Sequence, residues 1–414
     1  TYKEKQRFYF FIINNNVMEE VEKAAKEAQE IIDKNAAGNP RIKKMMDIVH
    51  KFVQTERVMC YGGTAINNIL PKEKQFYDSK VDIPDYDFFS IDPQNLCVKL
   101  SNKLKKAGLK DIEAKPGMHL GTFKVFCEYV GVADISSVEK DLFERLWKDS
   151  IVKDKIHYVP ADFLRMNVYL ELSRPMGDVS RWKKVFGRLE LMNSEYPIIC
   201  PKKHEKLNET LMIPKIKEKV EDLLIKHKIV LLGFNGELFH EKNQEWKLPL
   251  DILVEEKDAQ KIVKELINIF GKGVAKARSY EEYQELLPAH TDIIEDELLV
   301  RVYETMACHS YHELKTGLRV GSIPTLLNFF FAMLYADKEF AEHTTRQRII
   351  CAAQRLVDMA NSSKRRFELV TPIDCIGKQK ELIDMKKERA SLYEKASKNR
   401  EGTLFKKYFF SYKP

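Results

Sequence analysis

The chain of 414 residues lacks most of the features that place a protein quickly. No apolar run is long enough to cross a bilayer. The longest, LLNFFFAMLYA at 326–336, falls short of the roughly 20 residues a spanning helix needs, and it reads as a buried helix. The opening TYKEKQRFYFFIINNN has no small-residue cleavage site, so neither a leader nor a membrane is expected. Cysteines number only seven, at 60, 97, 127, 200, 308, 351 and 375, with no CxxC. An odd, scattered set argues against a disulfide framework and for an intracellular, reducing setting. Cys308, His309 and His312 lie close together but match no zinc spacing and have no second ligand pair nearby. Neither GxxxxGK[ST] nor a GxGxxG after a strand occurs, which excludes a Walker loop and a dinucleotide fingerprint.

What is present suits a globular chain of about two or three domains. Hydrophobic residues make up 44% and charged residues 32%, enough for real cores under a solvated surface. The net charge is +7, and Lys378–Pro414 alone contributes most of it, with eleven Lys or Arg against five Asp or Glu. Aromatics interleave with the bases in LFKKYFFSYK, which suits single-stranded nucleic acid. On composition alone a solvated terminal helix is the plainer reading. Leu382, Leu392, Phe405 and Phe409 could instead serve self-association.

Helical character is expected over 17–32, and over NPRIKKMMDIVHKFV, where Met45, Ile48, Val49, Phe52 and Val53 share a face behind Asn39-Pro40. RVMCY reads as a short strand, AINNIL as helix, PDYDFFSI as strand, and NLCVKLSNKLKKAG as a helix ended by Gly108. FKVFCEYVGVADIS reads as one long strand or two, and helices are expected from Ser137 to about Leu191. The pattern then recurs. IVLLGFNGELF echoes RVMCYGGTAIN, KLPLDILVEEKDAQKIVKELINIFG echoes the DYD strand and its helix, VRVYETMACHSYHEL echoes FKVFCEYVGVADISSV, and VGSIPTLLNFFFAMLYA echoes HYVPADFLRMNVYLELS. The order is kept and the offsets stay within about 164 to 174 residues, as a duplication would leave them. The echo is chemically degraded: the glycine pair becomes Gly233-Phe234, one acid remains as Asp251, and Asp134 falls opposite Cys308. A core-forming second copy without chemistry is expected.

The first copy carries chemistry. Asp85 and Asp87, two apart in a strand, would project to one face, where a shared cation offsets their repulsion. Mg²⁺ suits a few carboxylates together with phosphate oxygens, and Asp134, ending a nearby strand, could join them. Gly62-Gly63-Thr64 would let backbone amides approach a phosphate at a helix start, and the Thr64 hydroxyl could cap that helix or bond the phosphate. Arg181, Lys183 and Lys184 on a following helix could reach the same phosphates, or form a solvated face. Trp182 and Tyr158 fit core packing better than base stacking.

In this order, YGGTAIN, DYDFFS and VADIS resemble the GG[ST], DxD and third-Asp signature of DNA-polymerase-β-like nucleotidyltransferases. With RPMGDVSRWKKVFGRLELMN and the degraded copy, the chain resembles the poly(A) polymerase catalytic subunits of large DNA viruses, of giant-virus and poxvirus type. The resemblance implies ATP-dependent addition of adenylate to an RNA 3′ end. It assigns Asp85, Asp87 and Asp134 to Mg²⁺ or Mn²⁺ and to catalysis, with Asp134 helping to deprotonate the primer. Gly62, Gly63 and Thr64 would hold the triphosphate, to which the reading of the later helix adds Arg181 and Lys184. It also implies a homodimer, and a place in the host cytoplasm or the virion. One departure is the stretch PKEKQFYDSKVD between Thr64 and Asp85, expected as a charged surface loop.

The expected class is therefore α/β (α+β). An N-terminal helical region (1–56) precedes a polymerase-β-like nucleotidyltransferase domain with its helical part (57–195). A degenerate second copy (196–345) and a C-terminal helical, basic region (346–414) follow. Competing functions are another RNA nucleotidyltransferase, uridylyl- or CCA-adding, and a non-catalytic RNA-binding scaffold.

Overall fold

A computed structural model describes residues 2–78, 80–202, 210–241, 245–271, 273–284, 286–305, 307–336, 345–362 and 372–414, with the backbone alone for 2–16. The chain forms two compact units. The first comprises Thr1–Ser137, Val152–Tyr158 and Asn399–Pro414; the second comprises Val138–Ile151 and Val159–Lys398.

In the first unit, α1 (Tyr2–Gly38) and α2 (Pro40–Thr55) precede β1 (Met59–Cys60), α3 (Gly62–Ile69), β2 (Asp87–Ser90) and α4 (Pro93–Lys106). Then come β3 (Ile112–Pro116), β4 (Thr122–Cys127) and β5 (Val130–Ser137). After α5 (Lys140–Lys148) the chain makes β6 (Ile151–Lys153) and β7 (Ile156–Tyr158). These strands build a seven-stranded sheet in the order β3-β4-β5-β2-β1-β7-β6. Asn39 caps α2, accepting from the Arg41 amide, and Pro40 opens it. Its helical spacing buries Met45, Met46, Val49, Phe52 and Val53, and α4 buries Leu96, Cys97, Leu100 and Leu104. Both helices cover the sheet face to which Phe88 points, since Phe52 meets Phe88 with ring centroids 6.4 Å apart. The chain's last residues close the β3 edge. Ala114 and Tyr412 exchange both backbone hydrogen bonds, 2.8 and 2.9 Å, and the Tyr412 hydroxyl donates to Asn102. Phe409 is buried in this unit, so the basic terminal stretch is in part structural.

The second unit opens with α5, α6 (Ala161–Leu172) and α7 (Trp182–Glu195), then repeats the first unit's plan. After β8 (Thr210–Leu211) and α8 (Pro214–Lys226) come β9 (Val230–Leu231), α9 (Gly233–His240), β10 (Lys247–Leu248), β11 (Leu250–Val254) and α10 (Glu256–Phe270). Next come β12 (Lys276–Tyr280), β13 (His290–Ile294), β14 (Leu298–Glu304), β15 (His309–Glu313), β16 (Arg319–Gly321) and α11 (Ile323–Met333), whose residues are all buried. With β17 (Cys375–Ile376) the order is β12-β13-β14-β11-β9-β16-β15-β17, the first sheet's order with one strand added at an edge.

The repeat expected from the sequence is thus present in the strand order, with one correction to its register. The counterpart of β5 is β14, and β15 matches β6. The first copy inserts α5 between β5 and β6, whereas Thr305 to Cys308 alone separate β14 from β15. An alignment at constant offset slides one strand out there, and the position opposite Asp134 is not Cys308.

The expectation of a chain without disulfides is overturned. Cys200 bonds Cys351, 151 residues away, and Cys308 bonds Cys375, 67 away, while Cys60, Cys97 and Cys127 are free and buried. Such pairs are made by folding and leave no spacing signal in the sequence. The expected helical run from Ser137 to Leu191 is also interrupted, by the β6–β7 hairpin.

Candidate active site

β1 delivers the chain to α3 against β2: the Tyr61 amide donates to the Asp87 carbonyl at 3.0 Å. Gly62 turns there with φ +75°, a conformation glycine adopts without penalty. A Cβ on Gly62 would lie 2.8 Å from Asp87 Oδ2, so the glycine also makes room for the carboxylate. α3 begins at Gly62, which puts Gly63 second and Thr64 third in the helix. Among the described residues no side chain caps α3, which removes the capping role considered for Thr64. Its Oγ1 is buried without a hydrogen-bond partner among the described residues. Within α3, Asn67 Oδ1 accepts from the Phe76 and Tyr77 amides of the following loop at 2.8 and 2.9 Å, pinning the charged insertion.

The strand expected over PDYDFFSI begins only at Asp87, and Asp85 is exposed in the irregular stretch before it. Asp87 stands in register with Asp134 across the parallel β2–β5 pair, so both carboxylates leave the same sheet face. Phe88 and Ile135, one residue on, point to the opposite face, under α2 and α4. Burial first, then the charges of Asp85 and Asp134, push the Asp87 carboxyl up to about 7. Asp134 is raised as well, chiefly by burial, with Lys124 pulling the other way. Lys124, opposite Asp134 on β4, places its Nζ 2.7 Å from Asp134 Oδ2. A polar rail runs beside the acids. Tyr61 stacks on Phe89 with centroids 4.0 Å apart, and its hydroxyl shares a 2.8 Å hydrogen bond with Ser136, itself bonded to Thr122.

The donor set suits a hard divalent cation: oxygen ligands only, and carboxylates crowded enough to repel one another in its absence. No three His, Cys, Asp or Glu groups among the described residues yet close into a metal cage. Of the other expected site residues, Arg181 and Lys184 belong to the second unit. Arg181 pairs there with Glu171 at 3.3 Å, and Lys184 is exposed on α7. Trp182 Nε1 donates to the Glu171 carbonyl, and the Tyr158 hydroxyl accepts from Asn68, so both serve packing. Lys124, Tyr61 and Ser136 were not foreseen. The one available signal was a lysine at an alternating position of the strand TFKVFC.

The second copy shows how such a site is lost. Asp251 takes the place of Asp87: Leu232 donates to its carbonyl at 2.8 Å, and Gly233 turns beside its carboxylate with φ +59°. Two residues earlier stands Pro249 in place of Asp85. Arg301, in register with Asp251 on β14, stands in place of Asp134. Asn235, at the Thr64 position, spends its amide on the Lys247 and Pro249 carbonyls. Phe234, at the Gly63 position, lies under the Arg348 guanidinium at 3.8 Å.

The fold and this arrangement define a polymerase-β-like nucleotidyltransferase architecture with a degenerate second copy. Residues 47–178 match the family model described as poly(A) polymerase catalytic subunit, which bears out the resemblance read from the motifs. Two viral relatives carry the name "Putative poly(A) polymerase catalytic subunit". The African swine fever virus protein is 27% identical over 193 residues, 45% of this chain and 40% of its own length. That of Acanthamoeba polyphaga mimivirus is 26% identical over 196 residues, 46% of this chain and 32% of its own. The match therefore spans less than half of either relative. The crystal structure of the Megavirus polyadenylate synthase superposes with a TM-score of 0.78 over 96% of this chain and 85% of that one, at 19% identity, so the fold is shared.

Proposed function

We propose that the chain is a template-independent polynucleotide adenylyltransferase, adding AMP from ATP to RNA 3′ ends. The observation that carries this is the in-register pair Asp87 and Asp134, with Gly62 turning against the Asp87 carboxylate, inside the stretch that matches the poly(A) polymerase family model. Asp85 and Asp87 are assigned to Mg²⁺ or Mn²⁺, with Asp134 completing the set. A bound divalent pair supplies charge neutralisation on the triphosphate and acidifies the primer hydroxyl. The chain's own groups do the rest. The open amides at the start of α3 and the unpartnered Thr64 hydroxyl receive phosphate oxygens. An Asp134 carboxylate oxygen takes the hydroxyl proton. Arg181 and Lys184 are proposed as further triphosphate contacts on charge and exposure. The second copy serves as a non-catalytic scaffold, supported by its loss of two of the three acids.

Primer extension with each NTP, with and without divalent metal, tests this reading. Extension by ATP that stops on chelation is expected. A clear preference for UTP would point to a uridylyltransferase, and no incorporation of any NTP would point to an RNA-binding scaffold.

A homodimer is proposed as well, supported by α1, whose Val17, Met18, Val21, Ile31 and Ile32 are more than half exposed. Light scattering at micromolar concentration should give twice the chain mass of 48.4 kDa; a monomer mass would refute it.

A further inference from the structure

The Asp87 and Asp134 carboxylates leave one sheet face, with the charge of Asp85 acting on both, and the chain provides a positive charge beside them. Lys124 Nζ lies 2.7 Å from Asp134 Oδ2 across β4–β5, and its charge acts on Asp87 and Asp85 too. His119 is the other basic group acting on Asp134. The contact is open: the side chains are 44% and 19% exposed, and a flexible lysine stem holds it by one ammonium.

The second copy provides the comparison. At the same cross-strand position, β13–β14, the pair is reversed into Asp292 and Arg301. Arg301 binds Asp292 through two 2.8 Å hydrogen bonds, and the two side chains are only 4% and 2% exposed. Both copies therefore keep a cation acting on the aspartate that follows the glycine turn: Arg301 in register with Asp251, and Lys124 on Asp87 from beyond Asp134. The degenerate copy has locked it in the core as a rigid fork. The first copy holds it at the surface, where it can leave.

We infer that Lys124 is an exchangeable stand-in for the divalent cation: it neutralises the acids of the metal-free protein and must yield Asp134 when the metal enters. It thereby sets how tightly the metal binds. This rests on the reading of Asp85, Asp87 and Asp134 as the metal-binding acids.

The test is Mn²⁺ binding by titration calorimetry, with thermal melting of the metal-free chain, for wild type, Lys124→Gln, Lys124→Arg and Asp87→Asn. Lys124→Gln should bind Mn²⁺ about threefold to fivefold tighter, since an exposed ion pair no longer competes, and should melt lower without metal. Lys124→Arg should bind Mn²⁺ no tighter than wild type, because the competing positive charge is kept and a guanidinium can hold Asp134 by two hydrogen bonds. Unchanged or weaker Mn²⁺ binding by Lys124→Gln, with binding lost in Asp87→Asn, would overturn the stand-in role and leave the site reading intact. Wild-type binding by Asp87→Asn would overturn the site reading itself.

Discussion

Asp87→Asn should lower adenylate transfer by about a thousandfold or more while leaving the metal-free protein at least as resistant to heat as the wild type. The two halves of that result have one cause. Asp87 is half-buried, in register with Asp134 and two residues from Asp85, and Gly62 leaves its carboxylate no side chain to pack against. A carboxylate there costs the fold, because burial and like charges both disfavour it. Asparagine keeps the volume and removes the charge, so the fold loses nothing while the proposed metal site loses a carboxylate. Primer extension and a circular dichroism melt on the same preparation check both halves. Near wild-type transfer would remove Asp87 from the chemistry. Lost transfer together with a melt lowered by many degrees would make it a structural residue.

The second large effect is expected far from that chemistry. Arg301→Met should destabilise the second unit by about 3–5 kcal/mol, the usual cost of stranding a buried charge. Arg301 is the bidentate partner of the buried Asp292 and the principal positive charge acting on Asp251. Arg348 also acts on Asp251, and His290 lies 3.9 Å from Asp292. Burial has already pushed Asp251 up to about 6, with Arg301 holding it down. Its carboxyl gains a proton below that value and then needs no cation. The loss should therefore be largest above pH 7 and smaller near pH 5. Urea melts at both values measure it, and the double variant Arg301→Met with Asp292→Leu should recover part of the loss, since no aspartate at 292 is left unpaired. A wild-type melt for Arg301→Met at pH 8 would show that this pair does not hold the unit together.

These two positions mark how far the sequence could be read. The face of α2 was legible because Met45, Val49, Phe52 and Val53 repeat at the helical period, and that period depends on nothing outside the segment. The glycine turn, the DxD and the third acid were legible because their order along the chain is itself the motif. The second copy was legible as a rhythm of strand and helix. Its third acid was misplaced because α5 is inserted in only one copy. β6 and β7, three residues each, are too short to show any period.

Local pattern thus decided the longer elements and their order, and singled out Asp85, Asp87 and Asp134 as candidates. Folding alone decided which strand lies beside which, and with it every cross-strand partner. Lys124 beside Asp134, Arg301 beside Asp251, and the Cys200–Cys351 and Cys308–Cys375 bonds all join residues that are distant in the chain or on neighbouring strands. The physical reason is that pairing register depends on two segments at once, whereas helical period and motif order are properties of one.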